Sequence, residues 1–390
     1  AVMKRILFIA SQPFFEWRGS SIRLGFDLQA LTELGYTMDF LTLPLGERRE
    51  IPGVNIRRAP NIFFARRISI GPSLLKLGFD FLLLWMALGS VLRRRYAVVH
   101  GVEDCGLLAW MAARVGRARL IFERHSDPAS YHKGGLRNVI MRAYAAVERF
   151  VMRRADAVIG TGPGLVADAQ SVGRASRACL IPDIPSSLVE ATEAGRAAAR
   201  ARCMRQPDDI LIGYVGSFAV YQGIDLLFAA IPIVAAAEAR ARFIIIGGSP
   251  AEIHERKEAL AAAGYPHTVL FLGHIPPDQL PDVLAATDIL LSPRISGMNT
   301  PLKLLDYLKA GAAIVATDCE ANRLILNHEN AQLTPLTPEG FAEGILALCR
   351  DPGRRERLSS AGAELLASQH NFAHFREGLR QCYTYVLNQK

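Results

Sequence analysis

Apolar and polar positions along the chain alternate between short continuous apolar runs and longer amphipathic stretches, and the pattern occurs twice. Residues 4–10 (KRILFIA) form the kind of unbroken apolar run that a strand covered on both faces requires, and 36–42, 97–100, 119–122 and Ala157–Gly160 repeat it. Between these runs, 22–34 carries a helical period and stops at Gly35, and 105–115 and Leu136–Arg154 carry the same signal. Residues 186–209 break the rhythm. They are rich in Ala, Arg and Glu, contain Pro207 and hold no strand, which predicts the linker between two domains. The alternation restarts with strands at Ile210–Val215, 243–246, 269–272, 289–291 and 313–316 and helices at Ile224–Ala237 and 252–263. Strands separated by helices predict two doubly wound α/β domains, each a parallel sheet with helices on both faces. A ligand then belongs at the carboxyl ends of the strands, in the cleft between the domains.

Composition supports this division. A chain of 390 residues is too long for one ordinary core, and with 50% hydrophobic and 21% charged residues it is globular rather than disordered. Six cysteines lie far apart without a CxxC pair, which excludes a zinc ribbon or dithiol redox site and points to a reducing compartment. Lys4 and Arg5 lead straight into an apolar strand rather than a leader, so the expected location is cytoplasmic. The net charge of +8 calls for an anionic partner. No basic stretch is interleaved with aromatics, so nucleic acid is not expected, and an anionic membrane surface or a phosphorylated substrate fits better. The run 77–92 (LGFDFLLLWMALGSVL) is interrupted by Asp80 and is shorter than the roughly 18–20 residues that span a bilayer. Arg66, Arg67 and Lys76 precede or flank its start, and Arg93, Arg94 and Arg95 follow it. It reads as a core helix with solvated ends or as a helix seating the protein on a membrane; peripheral association is the expectation.

Four segments at strand ends carry more glycine and polar residues than packing needs. Residues 12–21 (QPFFEWRGSS) place Gly19, Ser20 and Ser21 at a helix start, where backbone N–H groups face an anion. Neither GxGxxG nor GxxxxGK occurs, which argues against a nicotinamide cofactor and a P-loop. Glu123-Arg124-His125-Ser126-Asp127 sets a histidine beside two carboxylates directly after a strand. Residues 213–225 (GYVGSFAVYQGID) end the second domain's first strand in a glycine turn. In 292–311 (SPRISGMNTPLKLLDYLKAG) a strand gives way to a polar loop and a helix with Thr300 as its expected cap and Pro301 in its first turn. With Lys303 nearby this is an anion site, and Asp306, further along the helix, can accept hydrogen bonds from vicinal hydroxyls such as those of a ribose.

Taken in order, KRILFIASQPFF, YAVVHGVEDCGLLA, LIFERHSD, ADAVIGTGPGL, IPDIPSS, GYVGSFAVYQGIDLL, FIIIGGSP, VLFLGHIP and TPLKLLDYLKAGAAIVATD resemble the GT-B fold retaining glycosyltransferases of family 4 across nearly the whole chain. The resemblance implies two Rossmann-like domains facing a central cleft. Residues 1–188 would bind acceptor and 209–370 the nucleotide sugar, with the final helix 374–387 packing back on the first domain. It implies that Gly19 and Ser20 approach the donor phosphate and acceptor, and that His125 lies over the donor sugar. Gly273, His274 and Ile275 would meet the nucleobase. Thr300, Pro301 and Leu302 would face the diphosphate, Asp306 would hold the ribose, and Gly216, Ser217 and Asn299 complete the donor-binding set. No cofactor or metal is implied, and the sequence has no DxD motif.

The chain also departs from that pattern. Phe218 and Gln222 stand near the places where the family carries an Arg and a Lys against the leaving diphosphate, and Met298 and Asp306 replace an acidic pair. Lys303 and Arg294 are the residues expected to compensate, so Lys303, Arg294, Gln222 and His125 form the candidate catalytic set. The function implied is transfer of a hexose from a nucleoside diphosphate (UDP or GDP) to a hydroxyl with retention. The acceptor is expected to be a saccharide or lipid-linked, as in polysaccharide, lipopolysaccharide or glycolipid assembly. The alternatives are a GT-B-like protein that binds nucleotide sugar without turnover and, further off, a nucleotide-sugar epimerase.

Overall fold

The computed structural model describes residues 4–16, 19–66, 68, 74–126, 136–173, 178–297 and 300–389. The chain forms two compact units, Ala1–Asp183 with Phe372–Lys390, and Ile184–Asn371.

Unit 1 runs β1 (Arg5–Ala10), α1 (Gly19–Glu33), β2 (Thr37–Thr42), β3 (Val54–Arg58), α2 (Leu74–Arg93), β4 (Val98–Val102), α3 (Gly106–Gly116), β5 (Arg119–Arg124), α4 (Leu136–Arg154), β6 (Ala157–Gly160), α5 (Pro163–Val172) and β7 (Ala178–Leu180). Its seven strands are all parallel in the order β3-β2-β1-β4-β5-β6-β7. The central strand β1 shows why an unbroken apolar run marks a buried strand. Ile6 through Ala10 are entirely inaccessible, with Leu7 and Ile9 packed in the cluster under α2 and α3 and Phe8 stacked edge-on to Phe40.

Unit 2 runs α6 (Glu193–Cys203), β8 (Ile210–Val215), α7 (Ile224–Ala237), β9 (Ala241–Ile246), α8 (Pro250–Ala262), β10 (Val269–Gly273), α9 (Leu280–Ala285), β11 (Ile289–Ser292), α10 (Leu302–Ala310), β12 (Ala313–Thr317), α11 (Glu320–Arg323), β13 (Gln332–Thr334), α12 (Pro338–Arg350) and α13 (Pro352–Gln369). Its six parallel strands take the order β10-β9-β8-β11-β12-β13. The chain then returns to unit 1 as α14 (Phe372–Asn388), which lies on α1 through Phe26 and Phe372 and on the β7 side through Gly378 against Ile181.

Two expectations change. The stretch read as linker contains α6, capped by the Thr192 hydroxyl accepting from the Gly195 N–H at 2.9 Å, with Ala199 and Cys203 buried against Leu211 and Ile244 of unit 2. Its Ala-rich sequence is a strong helix former, and the passage between units falls earlier, at Asp183 and Ile184. The first helix starts at Gly19 rather than Ile22, so Gly19, Ser20 and Ser21 form its opening turn. The short strands β3, β7 and β13 were not foreseen: three to five residues with few fully buried positions give no period to read.

Candidate functional site

In an open parallel sheet the strand order reverses at one point, and loops leaving the two strands there part to form a crevice. In unit 2 that point lies between β8 and β11. Beyond β8 the backbone turns at Gly216, whose N–H donates to the Ile246 carbonyl at 3.0 Å. Gly247 follows β9 at φ +116, and a Cβ there would lie 2.0 Å from the Gly216 carbonyl oxygen, so the two turns can touch only as glycine. The Gly247 N–H in turn donates to the carbonyl of Gly273 at 2.7 Å, which draws the end of β10 into the same edge; His274 beyond it is exposed and Ile275 half-buried.

Across the crevice, the turn 220–222 rests on the loop after β11. The Ile295 N–H donates to the Tyr221 carbonyl at 3.1 Å, and Gly223 sits so close to Pro293 that a Cβ would meet its carbonyl oxygen at 1.8 Å. Lys303, in the first turn of α10, lays its ammonium over the Tyr214 ring (4.6 Å) and donates to Gln222 Oε1 at 2.9 Å. Arg294 places its guanidinium over Tyr221 (5.3 Å) and donates from Nε to the Ser296 carbonyl at 2.8 Å. Gly216, Gln222, Arg294 and Lys303 thus converge. Burial, with the Arg294 charge second, pulls the Lys303 ammonium down to about 7. Among the described residues no carboxylate pairs with Lys303. An anion placed there would relieve both causes at once.

Three expectations here are corrected or sharpened. Helix α10 begins at Leu302 with Pro301 in the capping position (φ −76, ψ 101) and no side-chain cap, so Thr300 lies outside the helix. Pro301 is itself extended at ψ 101, so the helical turn opens one residue later than a Thr300 cap requires. Phe218, near the place of the family's cation, is a core residue packed against Phe228 at 6.0 Å; the exposed Ser217 gives its carbonyl to the Tyr214 hydroxyl at 2.9 Å. Asp306 is not an open carboxylate. It accepts from the Ser186 N–H (2.7 Å) and the Ser186 hydroxyl (2.8 Å), while burial pushes its carboxyl up to about 6 against those bonds. It lines a cavity of about 450 Å³ with Ser187, Glu190, Pro277, Leu284 and Lys309. A diol would therefore use the lone pairs that Ser186 leaves. Asn299, Met298 and Asp127 lie outside the described residues.

In unit 1 the order reverses between β1 and β4. Gly19 and Ser20 open α1, and His125 follows β5, with Nε2 2.9 Å from Glu123 Oε1. Glu123 is wholly buried and is the hub of a network: Arg23 Nε donates to it at 2.5 Å, and its other oxygen meets His100 Nε2 at 3.0 Å. His100 Nδ1 lies 2.7 Å from the Tyr383 hydroxyl of α14. Burial raises the Glu123 carboxyl, but Arg23 and the two histidines outweigh it and hold it well below the usual range. For His125 burial works downward, and Glu123 and Glu103 outweigh it and raise the imidazole. Nearby Glu103 adopts a left-handed φ of 47 and accepts from Gln12 (2.9 Å) and Ser126 (3.0 Å). A non-glycine residue held there at a strand end is the strain expected of a functional edge. Arg23, His100, Glu103 and Tyr383 were missed because they come from four separate elements; the signal available was ionisable residues inside apolar runs.

Two parallel sheets of this construction make the chain a GT-B fold, the architecture of the solved structures it matches over nearly its whole length. Sucrose-phosphate synthase from Thermosynechococcus elongatus superposes with a TM-score of 0.76 at 18% identity, covering 98% of each chain. Anabaena HepE, solved with UDP and glucose, gives 0.74 at 15% identity, covering 98% of this chain and 99% of that one. WaaG, a glycosyltransferase involved in lipopolysaccharide biosynthesis, gives 0.72 at 15% identity, covering 98% and 100%. The glycosyl transferase 4-like domain model matches residues 19–183 and the model for glycosyl transferases group 1 matches 209–351, and the chain belongs to this glycosyltransferase family. Among curated relatives it is 29% identical over 211 residues to a D-inositol 3-phosphate glycosyltransferase of Nocardia farcinica, covering 49% of this chain and 44% of the relative. It is 27% identical over 147 residues to a phosphatidyl-myo-inositol mannosyltransferase of Mycobacterium leprae, covering 37% and 38%. The matched stretches span less than half the length of these relatives.

Proposed function

We propose that this protein transfers a hexose from a nucleoside diphosphate to an acceptor hydroxyl with retention at the anomeric carbon. The observation that carries the reading is the pair of cations Lys303 and Arg294 flanking the neutral Gln222 at the point where unit 2's strand order reverses. That is where a leaving diphosphate needs charge, and one well-placed donor in such a site is worth roughly 3 kcal/mol of barrier. In this reading the bond from the anomeric carbon to the phosphate oxygen breaks. The acceptor oxygen bonds to the same face of that carbon, and the acceptor proton passes to the departing phosphate. The cations take the role that a metal has elsewhere, so none is required. Asp306 and the end of β10 hold ribose and base, and the N–H groups at the start of α10 hold phosphate. UDP is the first donor to try, because the structural neighbour HepE was solved with it. The acceptor in this reading is a saccharide or lipid-linked hydroxyl; the name of the phosphatidyl-myo-inositol mannosyltransferase relative favours the lipid.

The test is incubation with a panel of UDP- and GDP-linked hexoses without acceptor. Slow release of free nucleoside diphosphate, lost in Lys303→Ala, is the expected result. Binding without release would leave a nucleotide-sugar-binding protein and overturn the proposal of transfer.

A further inference from the structure

Helix α2 is inverted relative to an ordinary surface helix, which shows polar residues to water and buries its apolar stripe. Its polar residues before the terminal Arg93 point inward and are satisfied there. Lys76 pairs with Asp104, Asp80 accepts from Ser11, and Ser90 receives Arg57 Nη1 at 2.8 Å. Phe79, Leu83, Ala87 and Val91 belong to the core under the sheet. The positions left fully exposed between 77 and 92 are Leu77 (61%), Phe81 (59%), Trp85 (61%) and Leu92 (74%), which share one face at intervals of four and seven. Phe81 and Trp85 meet edge to face at 6.0 Å.

The loop beside the start of the helix extends this face. Asn61 exchanges two hydrogen bonds with the backbone of Ala65, at 2.8 and 2.9 Å, and Phe64 between them is held at φ 49 and is 87% exposed, with Ile62 also outward. A phenylalanine held in the left-handed region and pointed into solvent is unfavourable twice over in water. The other end is basic. Arg93, Arg94 and Arg95 are exposed after the helix, and the end of α3 brings up exposed Arg114 and Arg117, since Gly116 packs against Val91. The acids near this face are already engaged: Asp80 with Ser11, Asp104 with Lys76, and Asp39 with Tyr96, Asn55 and Arg94.

We propose that this face is where the protein docks on an anionic phospholipid bilayer. The apolar side chains of α2 and Phe64 enter the acyl boundary and the arginines meet the headgroups. A patch of large apolar side chains with a basic end fits that surface, and a uniformly apolar protein partner would leave the arginines unmatched. Residues Leu75–Arg93 are long and apolar enough to cross a membrane, but 33% of them are buried and Phe79, Leu83, Ala87 and Val91 belong to the core, so in this reading the helix lies on the bilayer. This inference stands apart from the donor chemistry of unit 2.

The experiment is flotation of the full chain with vesicles of 30% phosphatidylglycerol in phosphatidylcholine, and with phosphatidylcholine alone, at low and high salt. The protein is expected to float with the anionic vesicles and to be released by salt. Phe81→Ser with Trp85→Ser should weaken binding about tenfold or more, because two aromatic anchors are lost. Arg93→Gln with Arg95→Gln should abolish the preference for the anionic lipid while the apolar face remains. Both arginines are exposed, so this second variant decides the matter if the first does not fold. Failure of the wild type to float would overturn the proposal, as would binding unchanged in both variants. A dimer that dissociates in Phe81→Ser/Trp85→Ser would also overturn it, by showing that a second copy covers the face.

Discussion

Around Glu123, one carboxylate oxygen takes Arg23 and His125 and the other takes His100, with Tyr383 closing the network behind His100. Around Lys303 the balance is reversed: an ammonium and the Arg294 guanidinium flank a neutral amide. Both clusters sit at the edge of a parallel sheet, and both are poorly hydrated. The first is internally neutralised and so holds unit 1 together whether or not a ligand is present. In the second, Lys303 meets a neutral amide and a second cation, and among the described residues no carboxylate pairs with it, which suits a place for an anion. Asp27 shows what an unmatched charge does when nothing is to be bound. It is wholly buried and, among the described residues, has no hydrogen-bond partner; burial together with the Glu123 charge pushes its carboxyl well above the usual range, towards the neutral form.

Removing one member of each cluster should therefore have opposite consequences. Glu123→Ala leaves the buried Arg23 with Asp183 as its one remaining ion pair among the described residues, takes the carboxylate from His100 and His125, and should destabilise unit 1 by about 3 kcal/mol in urea unfolding. A loss below about 1 kcal/mol would show that the network is not closed. Lys303→Ala should lower turnover of donor by about 100-fold while leaving the unfolding midpoint unchanged or higher, because a burdened cation is gone. Asp306→Asn removes a carboxyl whose burial is costly and should weaken nucleoside diphosphate binding by about tenfold, read by calorimetry. Ser186→Ala should cost only about 1 kcal/mol of stability, the worth of the hydroxyl bond to Asp306, since the backbone N–H bond remains.

The pH dependence separates the clusters as well. With its folded value lowered from 10.5 to about 7, Lys303 binds fewer protons folded than unfolded between those limits. Its contribution therefore makes stability rise with pH from about 7 towards 10.5. Comparing the slope of unfolding free energy against pH in wild type and Lys303→Met isolates this term, and equal slopes would contradict it. Asp306 behaves as an acid raised from 3.8 to about 6: its contribution is favourable at low pH and is lost as pH climbs through that window.

The parallel sheets were readable because buried strands such as Ile6–Ala10 are unbroken apolar runs, and the helices because Ile224–Ala237 and Leu136–Arg154 keep their period. Edge strands such as Val54–Arg58 were not, since one exposed side removes the run that identifies them. In unit 2 the candidate segment could be located, because Pro293 to Asp306 is one contiguous stretch that joins a strand end, a loop and a helix. What the letters could not show was Ser186 occupying Asp306 from 120 residues away, or Gln222 serving as the resting partner of Lys303. In unit 1 the site was mostly hidden. His125 stood out at a strand end, but the carboxylate hub that orients it draws on α1, β4 and α14, which only folding brings together.

The central claim is that the Lys303 cluster is an anion site awaiting a diphosphate. Calorimetric titration of UDP and GDP at pH 7.5, in buffers of differing ionisation enthalpy, tests it most directly. Above a lysine pKa of about 7 the site should take up a proton as the diphosphate binds, and both the uptake and most of the affinity should vanish in Lys303→Ala. Binding of equal strength in wild type and Lys303→Ala, with no proton exchanged in either, would contradict the account.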